Sequence, residues 1–409
     1  VNNWKFNDTG ELLQQLLVFS KDYDTACILL SNNFEDIHGK YNLVAGFGEK
    51  MKYNDPSEIE NNDQLKLGFI SYDLKNKFEN IESNNPSGVG VPDFYFFEPE
   101  VSLECGRDGS LNLKKFNVSP PDVSDFNMRF TADLNWKCKT EKSIYIENVN
   151  KIRSQIENGD FYEMNYCIEW EAENTVGFNP YEAFFKLNTV SPAPFAAFFK
   201  YNQKYFICSS PERFIQKKQH KIISQPIKGT RKRDKDLQVD LRIIHELECA
   251  EKDRSENIMI ADLVRNDLSK ICKNGSVKVD ELCKIYSFSH VHQMISLVSG
   301  EIEGDPKFLE ILRATFPMGS MTGAPKIMVM QEIERYENFR RGLYSGSIGW
   351  FCNGDFDLNV VIRSLQFNAK DDTLIYNVGG AIVYDSDAES EYDECETKAA
   401  GIIAAMNAN

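Results

Sequence analysis

The sequence predicts an α+β fold: antiparallel sheets packed face to face in a layered sandwich flanked by helices. Three observations predict it. Residues 1–118 form a series of β-branched and aromatic runs cut by Asn, Gly, Pro and Asp turns. Beyond residue 140, helical patterns alternate with further strands. The 409-residue chain is 42% hydrophobic with 28 Phe and 17 Tyr, enough apolar bulk for two sizeable cores or one large two-layer body.

In the first part, Thr25–Ser31, Tyr41–Gly48, Leu65–Leu74, Asp93–Cys105 and Ser110–Phe116 read as strands, with one helix over Gly10–Phe19. The segment Val118–Lys139 carries Ser119-Pro120-Pro121 and several Asp without a clean period, and reads as a connection. It separates a strand-rich N-terminal region, residues 1–125, from a larger body, residues 126–409. The body opens on a helix near Glu141–Asn158, where Tyr145, Val149, Ile152 and Ile156 share one face and Gly159 stands at the C-cap. Phe161–Glu171 and Ala196–Lys200 look extended, and Pro180–Asn188 helical.

Composition narrows the partners. A net charge of −16 argues against a nucleic-acid or anionic-membrane surface. Ten cysteines are scattered singly without a CxxC pair, which predicts reduced, mostly buried thiols and a cytoplasmic location. The start has no signal-peptide pattern, and no apolar run approaches the ~18 residues of a membrane span.

A hairpin organises the centre. Tyr205–Cys208 leads through Ser210-Pro211-Glu212 into a strand (Arg213–Gln216), a turn (Lys217–Gln219) and a returning strand (Lys221–Ser224). A turn centred near Lys218 sets Glu212 opposite Gln225, with Lys228 about three residues and ~10 Å further on. Two readings stand on these residues: a surface hairpin with a solvated lysine, or a lysine and a glutamate reaching one small substrate.

Acidic pairs come next. Lys235–Lys273 is the longest helical signal, and Glu256 continues the apolar stripe of Ile260, Leu263, Val264, Leu268 and Ile271. Ser386 and Glu389 form a capping box for a helix running to about Met406, on which Glu391, Glu394, Lys398 and Ile402 share a face. Asp253/Glu256 and Glu391/Glu394 are either solvated helix faces or an all-oxygen Mg²⁺ site. Phe316–Lys326 reads as a glycine-bearing loop before a helix over Ile327–Tyr336, an anion site in kind. Asn377–Val383 reads as a glycine link between strands.

Taken together, these stretches resemble the chorismate-utilising synthases, and most closely their aminodeoxychorismate branch. The resemblance rests on Glu251–Cys272 (EKDRSENIMIADLVRNDLSKIC), Ser320–Lys326 (SMTGAPK), Leu343–Phe351 and Gly379–Lys398. It is dense over Phe130–Met406 and looser before, where Gly68–Leu74 (GFISYDL) still matches. It implies an anthranilate synthase component I-like fold with two sheets enclosing the site, and makes residues 126–409 the chorismate-binding body. Pro226-Ile227-Lys228-Gly229-Thr230 matches the PIKGT of the aminodeoxychorismate branch, where other branches usually carry alanine.

The resemblance implies the following chemistry. Mg²⁺ on Glu256 and Glu394, with Asp253 and Glu391 water-mediated or one layer out, holds the ring carboxylate of chorismate. Lys228 attacks ring C2 while Glu212 protonates the departing C4 hydroxyl. Ammonia then adds at C4 and expels the lysine, giving 4-amino-4-deoxychorismate for p-aminobenzoate and folate synthesis. Lys228 therefore needs a depressed pKa and Glu212 a raised one. Arg363 and Tyr344 match the pair for the enolpyruvyl carboxylate, helped by backbone N–H groups at Gly379, Gly380 and Ala381. Gly229, Thr230, Thr322 and Lys398 complete the substrate-binding set.

Three positions depart from the pattern: Gln293 replaces the usual His, with His290 and His292 just before it; Ala381 replaces a glycine and restricts φ; Glu163 stands where Gln is common. No amidotransferase signature is present, which implies a glutamine amidotransferase subunit supplying ammonia. Leu30-Ser31, Ser71-Tyr72-Asp73 and Ser191–Phe195 match a regulatory tryptophan pocket in relatives. The competing readings are anthranilate synthase component I and a non-catalytic amino-acid-binding sensor, in which Lys228 and the acids would be solvated.

Overall fold

Alternation along the strands decides the architecture. The computed structural model describes residues 4, 9–115, 119–124, 126, 134–288 and 291–407. The N-terminal region contains α1 (Thr9–Phe19), β1 (Thr25–Leu30), β2 (Tyr41–Tyr53), β3 (Lys66–Ile70), α2 (Lys75–Glu79), β4 (Phe94–Gly106) and β5 (Leu111–Lys114). The middle runs through β6 (Trp136–Cys138), α3 (Lys142–Asn158), β7 (Glu163–Ala172), α4 (Pro180–Val190), β8 (Phe195–Tyr201) and β9 (Lys204–Ser210). The hairpin follows as β10 (Arg213–Lys218), β11 (Lys221–Gln225) and β12 (Ile227–Lys232), then α5 (Leu237–Cys249) and α6 (Glu251–Ser269). The rest is β13 (Lys278–Ser287), β14 (Val291–Glu301), α7 (Phe308–Thr315), β15 (Gly323–Ala324) and α8 (Lys326–Tyr336). Four strands, β16 (Ser347–Cys352), β17 (Asp355–Asn359), β18 (Ser364–Asn368) and β19 (Thr373–Ile382), precede α9 (Ala388–Asn407).

Antiparallel ladders join these strands into two layers. One runs β7–β19–β18–β9–β8–β1–β2. The other runs β4–β3–β16–β17–β10–β11–β14, with β12 and β13 beside β14. The long strands β2 and β4 pair with each other across the corner, with register shifts at Tyr41/Leu43 and Glu49/Met51. Pairing of β1 with β8 and of β3 with β16 ties residues before 125 to strands after it.

Successive side chains enter different cores, as a period of two requires. Cys27, Val44, Phe69, Tyr95, Phe97, Ala197, Phe199, Phe206 and Trp350 meet between the two layers, in a cluster built from strands and loops. Their neighbours Ala26, Ile28, Phe198 and Ile207 point outward onto α1, α3, α4 and α9. On the opposite layer, Phe94, Phe96, Ile215, Val298 and Leu358 turn outward onto α6 and α7. The order helices–sheet–sheet–helices is the predicted sandwich. Among the described residues, no helix is long and apolar enough to cross a membrane, and all ten cysteines are free thiols.

Several local expectations are corrected. The 235–273 signal is two helices: a single one would span roughly 55–60 Å, and Ala250 (φ −68°, ψ 98°) breaks it between α5 and α6. The hairpin turns at Gln219-His220, and a bulge at Phe214 brings Arg213, not Glu212, opposite Gln225. Residues 377–382 lie inside β19, paired with β7, rather than linking two strands. The strand over Leu65–Leu74 stops at Ile70, and Tyr72–Leu74 is a 3₁₀ turn capped by Ser71. Asp387, not Ser386, caps α9 by accepting from the Ser390 N–H; Ser386 Oγ is engaged with Glu391, and Glu389 pairs with Lys142. Of the 118–139 connection, residues 118, 125 and 127–133 lie outside the described residues, and its end forms β6 against β7.

Candidate active site

The site lies where β10–β12 of one layer, β7 and β19 of the other, and helices α6 and α9 converge. Lys228 projects from β12 beside a register shift between Ile227 and Thr230. Gly229 there holds φ +83°, and a Cβ on it would stand 3.0 Å from Asp253 Cβ, so glycine lets β12 and α6 approach closely. Lys228 is not solvated: its side chain is 10% exposed. Its Nζ donates to Glu163 Oε1 at 2.8 Å and lies 3.8 Å from Glu256 Oε2.

This neighbourhood overturns one expectation. Burial pulls the Lys228 pKa down, but Glu163, Glu256 and Glu212 outweigh it and hold the amine above its ordinary value. In this arrangement Lys228 is an ammonium at neutral pH. Of the three acids, Glu163 has the largest influence and is the one hydrogen-bonded to the amine.

Glu212 behaves as expected. It sits in the Ser210–Arg213 link, buried, and burial pushes its carboxyl up to about 7 against the opposing pull of Ser320, Lys228 and Arg363. Ser320 Oγ donates to its Oε1 at 2.7 Å. A carboxyl near neutrality and a lysine within its electrostatic reach therefore share one enclosure.

The four predicted metal acids occupy facing helices, and each holds a cation. Lys252 of α6 crosses to Glu391 at 2.9 Å, Lys398 pairs with Glu394 at 2.8 Å, and Arg231 pairs with Asp253 at 2.7 Å. Burial raises Glu256 to about 7, with Lys228 and Lys252 opposing and Glu163 and Asp253 adding. Among the described residues, no three His, Cys, Asp or Glu side chains converge as ligands. The donors suit a hard divalent ion in kind, being all oxygen. To hold one, they must exchange their lysine and arginine partners.

The predicted substrate-binding residues scatter around this centre. Arg363 is half-buried and pairs with no carboxylate among the described residues; burial lowers its pKa, with Tyr376 and Glu212 near enough to oppose that. Tyr344 is buried beside Cys167. Gly379, Gly380 and Ala381 pair with Cys167, Tyr166 and Asn165 of β7, and β18 stops pairing at Tyr376, which frees that edge of β19. A Cβ on Gly379 would strike Cys167 Sγ at 2.4 Å, whereas Ala381 sits in ordinary extended backbone, where the φ restriction of alanine carries no strain. Lys398 Nζ also donates to the Gly379 carbonyl at 2.8 Å. Thr230 lies opposite Gln293, whose amide reaches its hydroxyl at 3.5 Å. Thr322 is buried and spends its hydroxyl on the Met318 and Gly319 carbonyls.

The His question is answered in part. His292 alternates away from Gln293 and is buried between Asp240 and Ser287, while His290 lies outside the described residues. A second cavity lies at Leu30, Ser31, Pro194, Phe195, Arg213 and Trp350. Ser71–Asp73 do not line it; Ser71 instead bonds the Gly342 carbonyl and Tyr72 lies against Arg341. Sequence reasoning missed Ser320 as the partner of Glu212 and Lys252 as the cation among the acids, though both lie in stretches that carried the resemblance.

A buried amine beside carboxyls held near neutrality, inside a sheet sandwich, is the equipment of an enzyme acting on a small molecule. Comparison with known proteins gives its kind. The chain belongs to the chorismate binding enzyme family, whose model matches residues 24–404. It is 33% identical over 356 residues to aminodeoxychorismate synthase component 1 of Bacillus subtilis, covering 81% of this chain and 75% of that one. It is 32% identical over 378 residues to anthranilate synthase component 1 of Saccharolobus solfataricus, covering 90% and 86%. In fold it is similar to anthranilate synthase component I from Streptococcus pneumoniae, with a TM-score of 0.78 at 24% identity over 90% of this chain and 93% of that one. It is thus a chorismate-utilising enzyme of the aminodeoxychorismate/anthranilate synthase component I kind.

Proposed function

We propose that the chain aminates chorismate to 4-amino-4-deoxychorismate, with ammonia from a separate glutaminase subunit, in cytoplasmic p-aminobenzoate and folate synthesis. The observation that carries this is Lys228, buried and within electrostatic reach of Glu212. Lys228 must first release its ammonium proton to solvent; its neutral nitrogen then attacks ring C2, and Glu212 gives its proton to the C4 hydroxyl as that group leaves as water. Ammonia adds at C4 and the lysine departs. Arg363, which pairs with no carboxylate among the described residues, takes the enolpyruvyl carboxylate with Tyr344 and the edge of β19 at Gly379–Ala381. Gly229, Thr230, Thr322 and Lys398 lie toward the ring carboxylate.

Glu256 and Glu394, with Asp253 and Glu391 behind them, would hold Mg²⁺. Bound there, it would withdraw electrons through the ring carboxylate. The cavity at Ser31 and Phe195 is the place for a tryptophan-like ligand; calorimetric titration giving no heat removes that assignment. Names of the form "component 1" among the relatives support the partner subunit.

The test is mass spectrometry of quenched reactions. A chorismate-derived adduct on Lys228, and a product that needs added lyase to give p-aminobenzoate, support the reading. Anthranilate fluorescence with chorismate, Mg²⁺ and ammonium supports the second reading, anthranilate synthesis, which the similar identity of both kinds of relative keeps in play. A non-catalytic sensor requires a solvated Lys228, and the burial of that side chain counts against it.

A further inference from the structure

Lys228 leaves β12 beside a bulge, and four rotatable bonds separate its backbone from its nitrogen. The strand alone does not say where that nitrogen rests. Glu163 does. It is fully buried on β7, where the ladder pairs it with Ala324, and its neighbour Met164 is pinned by Gly323 on one side and Ile382 on the other. Its Oε1 accepts, at 2.8 Å, the one hydrogen bond that Lys228 Nζ donates among the described residues. Glu256 at 3.8 Å is an ion-pair neighbour, too far for a hydrogen bond. The other oxygen, Oε2, is buried and meets no donor among the described residues, so Lys228 is the one polar partner of the Glu163 side chain there.

We propose that Glu163 is a positioning residue for Lys228: a rigid acceptor on one layer fixes where the nitrogen from the other layer stands. This rests on Lys228 being the attacking amine. Without the anchor the lysine has several rotamers to search, and a misplacement of about 1 Å at a reacting atom lowers rate by about 10²-fold.

Three variants test it: Glu163→Ala, Glu163→Gln and Glu163→Asp, each compared with wild type by thermal melting first. Glu163→Gln keeps an acceptor at the same reach, and Glu163→Asp shortens it by one carbon. Glu163→Ala is expected to lower kcat about 100-fold with the chorismate KM within about threefold, and to slow adduct formation on Lys228 by the same factor. Glu163→Gln is expected to recover to within about fivefold of wild type, with Glu163→Asp between them. If Glu163→Ala does not fold, the ordering of the other two decides. Wild-type kcat in Glu163→Ala, a change in KM alone, or Glu163→Asp at or above Glu163→Gln would overturn the proposal. Crystal structures of the variants separate positioning from chemistry. A Lys228 nitrogen displaced in Glu163→Ala or Glu163→Asp but in place in Glu163→Gln supports it; one unmoved in every variant overturns it. Absence of any Lys228 adduct in wild type rejects the amination reading instead, and the crystallographic result still judges the anchor.

Discussion

Ser320 Oγ donates a hydrogen bond to Glu212 Oε1 at 2.7 Å, tying the loop before α8 to the link before β10. Burial carries the Glu212 carboxyl up to about 7 in spite of that bond, which favours the ionised form. A general acid works while protonated, so chorismate turnover should fall as pH rises through about 7. Ser320→Ala removes a group that lowers the pKa, so the alkaline limb should move upward. Glu212→Gln should lower kcat by about 10²–10⁴-fold. The same shift bears on stability. The folded state keeps a proton that the unfolded chain has lost between about 4.5 and 7, so stability is full below the lower value and declines as pH rises through the upper one. Glu212→Gln should flatten that decline by on the order of 3 kcal/mol, read from urea melts at pH 5 and 8.

Lys228 labelling gives a second prediction. Its acidic neighbours hold the amine above its ordinary pKa against burial, so amine-acylating reagents should modify it only at strongly alkaline pH. Surface lysines such as Lys398, at 44% exposure, should react first. Glu163→Gln removes the carboxylate hydrogen-bonded to Lys228 and should bring its labelling to lower pH. Peptide mapping across a pH series checks both, and equal labelling curves in wild type and variant would refute the electrostatic account.

How far the chain could be read in advance follows from the range of each interaction. The sandwich was legible because period-2 burial is local: Phe94 and Phe96 face one core and Tyr95 and Phe97 the other, as their spacing demands. The acids on α6 and α9 were legible as helix faces, but not the lysines that hold them, because Lys252 and Glu391 are 139 residues apart. Glu163 was visible as an unusual residue, yet its charge had no address until β7 and β12 were brought together. The capping box failed on a different ground. Ser386 and Asp387 compete for the start of α9, and Glu391 settled it by taking the serine hydroxyl.

Magnesium titration should depend on pH in a defined direction. Glu256 sits near 7 because burial disfavours its charge, and an ion must displace that proton to bind there. Apparent affinity should therefore fall by roughly tenfold per unit as pH drops below 7, the expectation for one competing proton. Calorimetry in buffers of differing ionisation enthalpy should show proton release. Glu256→Gln should abolish the release, and chelator should weaken chorismate binding reversibly. Tight, pH-independent binding between pH 5 and 7 would mean that the ion uses other ligands.

Arg341 and Glu337 form the structural counterpart of the site. Arg341 Nε and Nη2 donate to the two oxygens of Glu337 at 2.9 and 2.6 Å, and its remaining N–H groups reach the Met321 and Asn165 carbonyls at 2.7 and 2.8 Å and the Ser345 hydroxyl at 3.2 Å. Glu337 in turn accepts from the Cys167 N–H at 2.9 Å, so one buried pair fixes β7 against the loop carrying Ser320 and Thr322. Both side chains are 1% exposed. Arg341→Met strands a buried carboxylate and should destabilise by about 3–5 kcal/mol. Replacing both, as Arg341→Met with Glu337→Leu, removes the stranded charge and should recover much of that loss. Because Arg341 also holds the Met321 carbonyl, next to the Ser320 that bonds Glu212, the double variant should regain stability without regaining turnover. Equal recovery of stability and turnover would show that the loop is held by its own backbone rather than by this guanidinium.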